Sequence, residues 1–136
     1  MMRNLLAVAL LLLATAAEAA SPQQQAVLES YLSAAVTEPG FTAPSAERGR
    51  SLFVSPQSGG KPDTPSCVTC HSADLTRPGQ TRAGKPIDPM APSVTPTRFR
   101  DAANVEKWFK RNCRDVLGRD CTAAEKSDLL VFLLAQ

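Results

Sequence analysis

A C-x-x-C-H motif at residues 67–71 constrains this chain more than any other feature of its sequence. Cys67 and Cys70 have the spacing at which two thiols add to the two vinyl groups of a haem, and the residue that follows them is the proximal ligand of the iron. That residue, His71, is the only histidine in the chain, so no second histidine can bind the opposite side of the iron. The motif therefore predicts one covalently attached haem c and leaves the sixth ligand open.

Two other uses of paired cysteines fit the sequence less well. A thioredoxin-like redox pair needs a surrounding βαβ pattern, and no such pattern flanks the motif. A structural zinc site needs two more cysteine or histidine ligands near by, whereas Cys113 and Cys121 lie far along the chain with no histidine beside them. Haem attachment is the interpretation that the residues favour.

The N-terminus has the pattern of a secretory signal. Arg3 precedes an apolar run at residues 5–17, and Ala-Glu-Ala at residues 17–19 matches the small-x-small cleavage pattern. A membrane anchor would need roughly 20 apolar residues without such a site. We therefore predict a cleaved signal peptide at residues 1–19 and one monohaem cytochrome c domain at residues 20–136. The predicted location is the bacterial periplasm, where c-type haem is attached and disulfides can form.

Charge and composition exclude one class of partner. The 15 Lys and Arg residues nearly balance 13 Asp and Glu residues, for a formal net charge of +2. The basic side chains are scattered among acidic ones and form no run, so we expect no nucleic-acid partner. Aromatic residues make up only 5% of the chain, which suits a small core that a porphyrin completes.

The rest of the chain has the pattern of helices joined by Pro-rich loops. Capping residues and apolar spacing predict helices at residues 22–36, 45–53 and 101–113 and from Thr122 onward. Residues 76–97 contain five prolines and two glycines, so we predict an irregular segment there rather than a strand. The expected fold class is all-α, with four to five helices around one covalently attached haem.

Asn112 interrupts the apolar stripe of the helix that is predicted to begin near Asp101. Val105, Trp108 and Phe109 have the i, i+3, i+4 spacing of an inward face, and i+7 from Val105 falls on this polar amide. Either Asn112 caps the end of the helix, as asparagine often does, or it points at the haem as a ligand or hydrogen-bond donor.

Cys113 and Cys121 are predicted to form a disulfide. The signal sequence indicates an oxidising compartment, and the haem consumes the other two cysteines. The bond would close a nine-residue loop, worth about 2.5 kcal/mol by loop entropy, and would join the end of the Asn112 helix to the start of the last helix. Two unpaired thiols are the alternative.

Several short runs are more specific than the haem motif itself. They are Ala-Glu-Arg-Gly-Arg-Ser-Leu-Phe at residues 46–53, Val-Glu-Lys-Trp at 105–108, Arg-Asn-Cys at 111–113 and Gly-Arg-Asp-Cys-Thr at 118–122. With these runs the chain resembles the sphaeroides haem protein (SHP) family over nearly all of the predicted mature domain. Members of that family are small exported monohaem cytochromes, so the resemblance implies a class I cytochrome c-like helical fold.

The resemblance also implies a site and partners. The asparagine of the Arg-Asn-Cys run, here Asn112, would ligate the oxidised iron through its side-chain amide and leave on reduction. The open position would then bind oxygen, nitric oxide and similar diatomic gases. The disulfide of the family would be Cys113–Cys121. The implied electron donors are a partner cytochrome, either a dihaem cytochrome c or a membrane b-type cytochrome.

Met90 is the competing sixth ligand. It lies in the Pro-rich segment after the haem motif, from which ordinary class I cytochromes c take a methionine ligand, and it is the only methionine outside the predicted signal peptide. A bound methionine would make the chain a sealed electron carrier with a raised potential. Family members with leucine at this position favour Asn112 instead, with Met90 packing against the haem.

Three classes of function follow. The first is a cytochrome that binds diatomic gases through a displaceable distal asparagine and accepts electrons from a partner cytochrome. The second is a His/Met electron carrier. The third is a haem enzyme, a peroxidase or a nitric oxide-detoxifying enzyme, although the only histidine is already used by the iron and no catalytic acid or base stands out.

Overall fold

The structure, a computed structural model, describes residues 19–136, so the predicted signal peptide lies outside the described residues apart from Ala19. Within that part of the chain five helices and one short pair of strands follow one another along the sequence. The elements are α1 (Pro22–Ala35), α2 (Ala46–Val54), α3 (Val68–His71), β1 (Gly79–Gln80), β2 (Pro86–Ile87), α4 (Ala102–Leu117) and α5 (Ala123–Leu134). The expected all-α class with four to five helices is confirmed.

Helices α1, α4 and α5 begin at the capping residues that the sequence predicts. Ser21 accepts a hydrogen bond from the backbone of Gln24 in a capping box, and Thr122 does the same with Glu125 at the start of α5. Asp101 caps α4 through the backbone N–H of Asn104. Such caps satisfy backbone donors that a helix start leaves free, at about 1 kcal/mol each.

The last helix, α5, lies at the centre of the core. Leu130 is fully buried and packs with Val27 of α1 and Val105 of α4. Leu129 and Leu133, also buried, join a second cluster with Phe53 of α2. Burying such an apolar side chain contributes about 2 kcal/mol. The packing of α1, α2 and α4 around α5 is therefore what holds the haem motif and Asn112 in one domain.

The crossing of α2 and α5 depends on a glycine. A Cβ atom on Gly49 would lie 2.0 Å from the backbone oxygen of Asp128, so no larger residue fits there. The Asp128 carboxylate accepts hydrogen bonds from the backbone of Ser45 at 2.6 Å and from Nε of Arg48 at 2.7 Å. These contacts fix the start of α2 on α5.

The structure departs from the sequence-based predictions in two elements. Helix α4 continues through Cys113 to Leu117 and ends at Gly118, which has φ 72°, so the predicted end near Cys113 was wrong by one turn. A glycine adopts this left-handed conformation without strain and so marks the real end. The segment predicted to be free of strands contains the antiparallel pair β1–β2, which has two residues in each strand. None of the described helices is long and apolar enough to cross a membrane.

Candidate haem site

The haem motif lies on the single turn of α3. Cys67 is the residue before the helix, and its carbonyl accepts hydrogen bonds from the backbone N–H groups of Cys70 and His71. This turn brings the two thiols and the imidazole together. Cys67 and Cys70 are not joined to each other. Burial raises the pKa of the Cys67 thiol to about 11, which keeps it from forming the thiolate that disulfide exchange requires.

The imidazole of His71 is in the form that binds a metal. Burial, and then the charge of the nearby Arg98, lower the pKa of His71 to about 4, so the ring is neutral at physiological pH. Its Nδ1 is buried and has no hydrogen-bond partner within the described residues. Its other nitrogen, Nε2, faces Asn112.

Asn112 and His71 meet across the site. The amide nitrogen Nδ2 of Asn112 lies 3.5 Å from Nε2 of His71. At this distance the two side chains are within hydrogen-bond reach of each other, so the amide of α4 faces the imidazole of the haem motif. Asn112 lies five residues before the end of α4, inside the helix, so the interpretation as a helix cap was wrong. The helix continues beyond Asn112 because its last turn is held by a disulfide at Cys113 and by hydrogen bonds at Asp115.

Those partners hold the end of α4 from two sides. Cys113 forms a disulfide with Cys121, with a Cα–Cα distance of 5.6 Å, just before α5 begins. On the other side, the carbonyl of Asp115 accepts hydrogen bonds from the backbone of Lys61 at 2.7 Å and from the Thr64 hydroxyl at 3.1 Å. The loop that leads into the haem motif is thus bonded to the helix that carries Asn112.

A close glycine contact adds to this attachment. A Cβ atom on Gly60 would lie 2.2 Å from the Asp115 oxygen, so only glycine lets the loop approach the helix. Within the motif region, a Cβ on Gly79 would lie 1.9 Å from the backbone oxygen of Cys70. No sequence pattern assigns these two glycines a role, although each stands next to a proline or another glycine in a predicted loop.

Met90 is placed in apolar surroundings. Its side chain is 8% exposed and belongs to the cluster that contains Phe53 and Leu75. The next residue, Ala91, is fully buried and its backbone N–H donates to the carbonyl of Leu75 at 2.9 Å. The segment is further held by Arg98, whose guanidinium donates to the carbonyls of residues 88 and 89.

The cations of the segment after the haem motif and of α4 differ in their burial. Arg98 is half-buried and bonded to backbone carbonyls, a contact that the sequence did not reveal because it joins residues through the tertiary structure. Arg111, Lys85, Lys107 and Lys110 are exposed. Within the described residues, no group of three or more histidine, cysteine or acidic side chains forms a further metal site.

The two aromatic residues of α4, Trp108 and Phe109, differ in their burial. Phe109 is half-buried, contacts both core clusters and meets Tyr31 edge-to-face with ring centroids 5.7 Å apart. Trp108 is 43% exposed, so its placement on the inward face was wrong. The i+3 position lies at the edge of the stripe, and the smaller Val105 and Phe109 already fill the contact with α1 and α5.

The residues that are present fit a c-type haem. Cys67 and Cys70 remain unpaired, His71 offers a neutral imidazole, and Asn112 faces it from another helix. A covalently bound haem needs this set of two thiols and one axial histidine.

Comparison with known proteins finds one matching family and relatives that are c-type cytochromes. Residues 39–133 match the family described as "Domain of unknown function (DUF1924)". The chain is 69% identical over 91 residues to cytochrome c-type protein SHP of Cereibacter sphaeroides, a match that covers 67% of this chain and 70% of that protein.

Two solved structures are similar in fold. One is oxidised SHP, described as an oxygen-binding cytochrome c, with 56% identity, a TM-score of 0.78 and coverage of 88% of this chain and 100% of the other. The second is the solution structure of cytochrome c″ from Methylophilus methylotrophus, which concerns the structural basis of haem-ligand detachment. It shares 31% identity, with a TM-score of 0.68 and coverage of 83% and 93%.

Proposed function

The chain belongs to the SHP family of c-type cytochromes and carries one covalently bound haem c, and we propose that it binds oxygen and nitric oxide at the reduced haem after a distal asparagine leaves. The observation that carries the proposal is the 3.5 Å approach of the Asn112 amide to Nε2 of His71. The proposal is also supported by the description of SHP as an oxygen-binding cytochrome c.

Three residues of α3 and its cap would hold the haem. Cys67 and Cys70 would supply the thioether links, and His71 would bind the iron through Nε2. The haem would supply an iron that is a stronger Lewis acid when oxidised than when reduced. Because Nδ1 of His71 is buried without an acceptor among residues 19–136, these residues do not supply the hydrogen bond that normally raises the basicity of a ligating imidazole.

Asn112 has the properties of a displaceable ligand. Its amide is neutral and binds a metal more weakly than an imidazole or a thioether does. The backbone of α4 is held by the Cys113–Cys121 disulfide and by the loop that binds Asp115, so we expect the side chain to rotate away while the helix stays in place. Once released, the amide NH₂ can donate a hydrogen bond to a diatomic ligand.

A second relative supports release of a distal ligand. Cytochrome c″, which is 36% identical to this chain over 104 residues, is a protein in which haem-ligand detachment has been analysed structurally. A detachable ligand is therefore compatible with this fold.

We further propose that the protein is exported to the periplasm and accepts electrons from a partner cytochrome. The predicted signal peptide and the use of two cysteines in a disulfide support an oxidising compartment. A dihaem cytochrome c and a membrane b-type cytochrome are the donors that the family suggests.

Absorption spectra of the purified, disulfide-intact protein test the proposal. They are recorded oxidised, then reduced without oxygen, before and after addition of carbon monoxide. We expect a low-spin oxidised form, a high-spin reduced form and immediate binding of carbon monoxide. A reduced form that stays low-spin and ignores carbon monoxide contradicts the proposal.

That contrary outcome would favour the second candidate, a His/Met electron carrier. The observation in its favour is the burial of Met90, which is 8% exposed in the same cluster as Phe53, whose ring centroid lies 6.2 Å from that of His71. A methionine thioether would then hold the sixth position in both redox states.

A further inference from the structure

The outward face of α4 carries cations that have no acidic partner. Lys107, Lys110 and Arg111 are exposed, and none of them forms an ion pair within residues 19–136. Six of the eleven other cations of the described chain are in ion pairs: Arg48, Lys61, Arg82, Arg114, Arg119 and Lys126. Three unpaired positive charges within five residues of one helix therefore set this face apart.

The same face contains an exposed tryptophan. Trp108 is 43% exposed, and two of the unpaired cations approach its ring. Nζ of Lys107 and Cζ of Arg111 each lie 5.5 Å from the ring centroid. Tryptophan and arginine are the residues that most often carry the binding energy of protein interfaces. Cation–π contacts also limit the side-chain freedom that would be lost on binding.

This face adjoins the candidate iron ligand. Trp108 lies one helical turn before Asn112, and Arg111 is the residue immediately before it. Side chains four residues apart are neighbours on a helix surface. A protein that covers Trp108 and Arg111 would therefore approach the haem from the side of Asn112.

We propose that Lys107, Trp108, Lys110 and Arg111 form the docking surface for an acidic electron-donor protein. The inference rests on the proposed function only in that electrons must reach the haem from a partner. Positive charge attracts an acidic partner and raises its rate of encounter. The exposed indole supplies the apolar contact at the centre of the surface.

A protein partner fits this surface better than a membrane does. A helix that lies on a bilayer inserts an apolar face, whereas the apolar face of α4 is already buried against α1 and α5. The exposed positions of α4 besides Trp108 are small, polar or charged: Ala102, Ala103, Asn104, Glu106, Lys107, Lys110, Arg111 and Arg114. One tryptophan among these charges offers little to insert.

The first experiment uses reductants of opposite charge to test whether electrons enter the protein through this positively charged surface. The oxidised holoprotein is reduced in a stopped-flow instrument by the Fe(II)–EDTA dianion and, separately, by the hexaammineruthenium(II) dication. We compare Lys110→Glu with Arg50→Glu, which makes the same charge change at an exposed, unpaired cation of α2. For Lys110→Glu we expect severalfold slower reduction by the anion and faster reduction by the cation. Both effects should disappear near 1 M salt, where the Debye length is about 3 Å.

The second experiment tests protein contact. Reduced flavodoxin, a small acidic one-electron donor, replaces the small reductants. We expect Trp108→Ala and Lys110→Glu to lower its second-order rate constant severalfold, while Trp108→Phe and Arg50→Glu stay near the wild type. Equal rates in all four variants would overturn the proposal. Sedimentation with phosphatidylglycerol vesicles that Lys110→Glu abolishes would assign the face to a membrane instead.

These measurements are independent of gas binding. The reduction rates remain measurable whether or not the reduced protein binds carbon monoxide. Failure of the proposed function and failure of the docking surface therefore give different results.

Discussion

Asn112 and Met90, the two candidates for the sixth ligand, are held in different ways. Asn112 is half-buried on a helix whose backbone is bonded to a disulfide on one side and to the loop before the haem motif on the other. Met90 lies in a Pro-rich segment whose position depends on burial of the Met90 side chain and on Arg98. The Asn112 side chain can move away from His71 without disturbing the core. Movement of the buried Met90 side chain would disrupt the core packing around it. A displaceable ligand requires the first arrangement.

Replacement of Asn112 should have the largest spectroscopic effect. In Asn112→Ala the oxidised protein is expected to lose its low-spin spectrum, because no other side chain among residues 19–136 lies within hydrogen-bond distance of Nε2 of His71. Met90→Leu is the control: it keeps an apolar side chain of similar volume and should leave the oxidised spectrum unchanged at a stability cost below about 1.5 kcal/mol. The comparison is reversed if Met90→Leu alters the spectrum and Asn112→Ala does not.

Removal of the disulfide should weaken the support of Asn112. For the double variant Cys113→Ser/Cys121→Ser we expect a loss of about 2.5 kcal/mol in the free energy of unfolding, measured by urea denaturation of the holoprotein. The high-spin fraction of the oxidised protein should rise because the end of α4 then keeps only noncovalent attachments, the loop at Lys61 and Thr64 and the Arg114–Asp120 ion pair. A variant that loses stability but keeps a fully low-spin spectrum would show that these attachments suffice.

Replacement of Arg98 tests how the segment that carries Met90 is held. Arg98→Met keeps the apolar stem but removes the hydrogen bonds to the carbonyls of residues 88 and 89. We expect a loss of about 1–2 kcal/mol in the free energy of unfolding, with the oxidised spectrum retained. Arg77→Met, at an exposed arginine that forms no described ion pair, is the matched control and should be neutral. A changed oxidised spectrum in Arg98→Met would link the Met90 segment to the iron.

The smallest expected effect is a pH-dependent change in the free energy of unfolding, caused by Glu125 at the start of α5. A hydrogen bond from Arg119, aided by the backbone of Thr122, lowers the pKa of Glu125. A carboxylate with a lowered pKa in the folded state stabilises the protein above its unfolded pKa of about 4.3, and this stabilisation is lost as the pH falls through the folded pKa. Glu125→Gln should therefore reduce stability at pH 7 but not at pH 3. Because the pair is partly exposed and screened, the difference should stay below about 1 kcal/mol.

The site was predictable wherever its chemistry depends on neighbouring residues in the chain. The spacing of Cys67, Cys70 and His71 is read directly from the sequence. The polar interruption at Asn112 could be seen in the helical periodicity, but periodicity alone could not separate a helix cap from a residue that faces the haem motif. That separation needed the true end of α4 at Leu117, which depends on contacts with residues 59–64.

Long-range contacts explain the remaining differences. Trp108 follows the apolar spacing yet is exposed, because spacing predicts a face and not how much of that face its neighbours cover. Arg98 reaches backbone carbonyls nine and ten residues earlier, in a segment without regular structure, and no local pattern signals such a bond.

The sequence by itself determined the covalent chemistry of this protein and its helical class, because haem attachment, helix caps and apolar periodicity are local properties of the chain. The tertiary structure decided which side chain faces His71, how firmly its helix is held and which cations remain unpaired. These properties depend on distances between residues far apart in the chain, such as the 3.5 Å between Asn112 and His71. Those distances are set by the packing of the helices around α5, by the disulfide and by the loop bonded to Asp115.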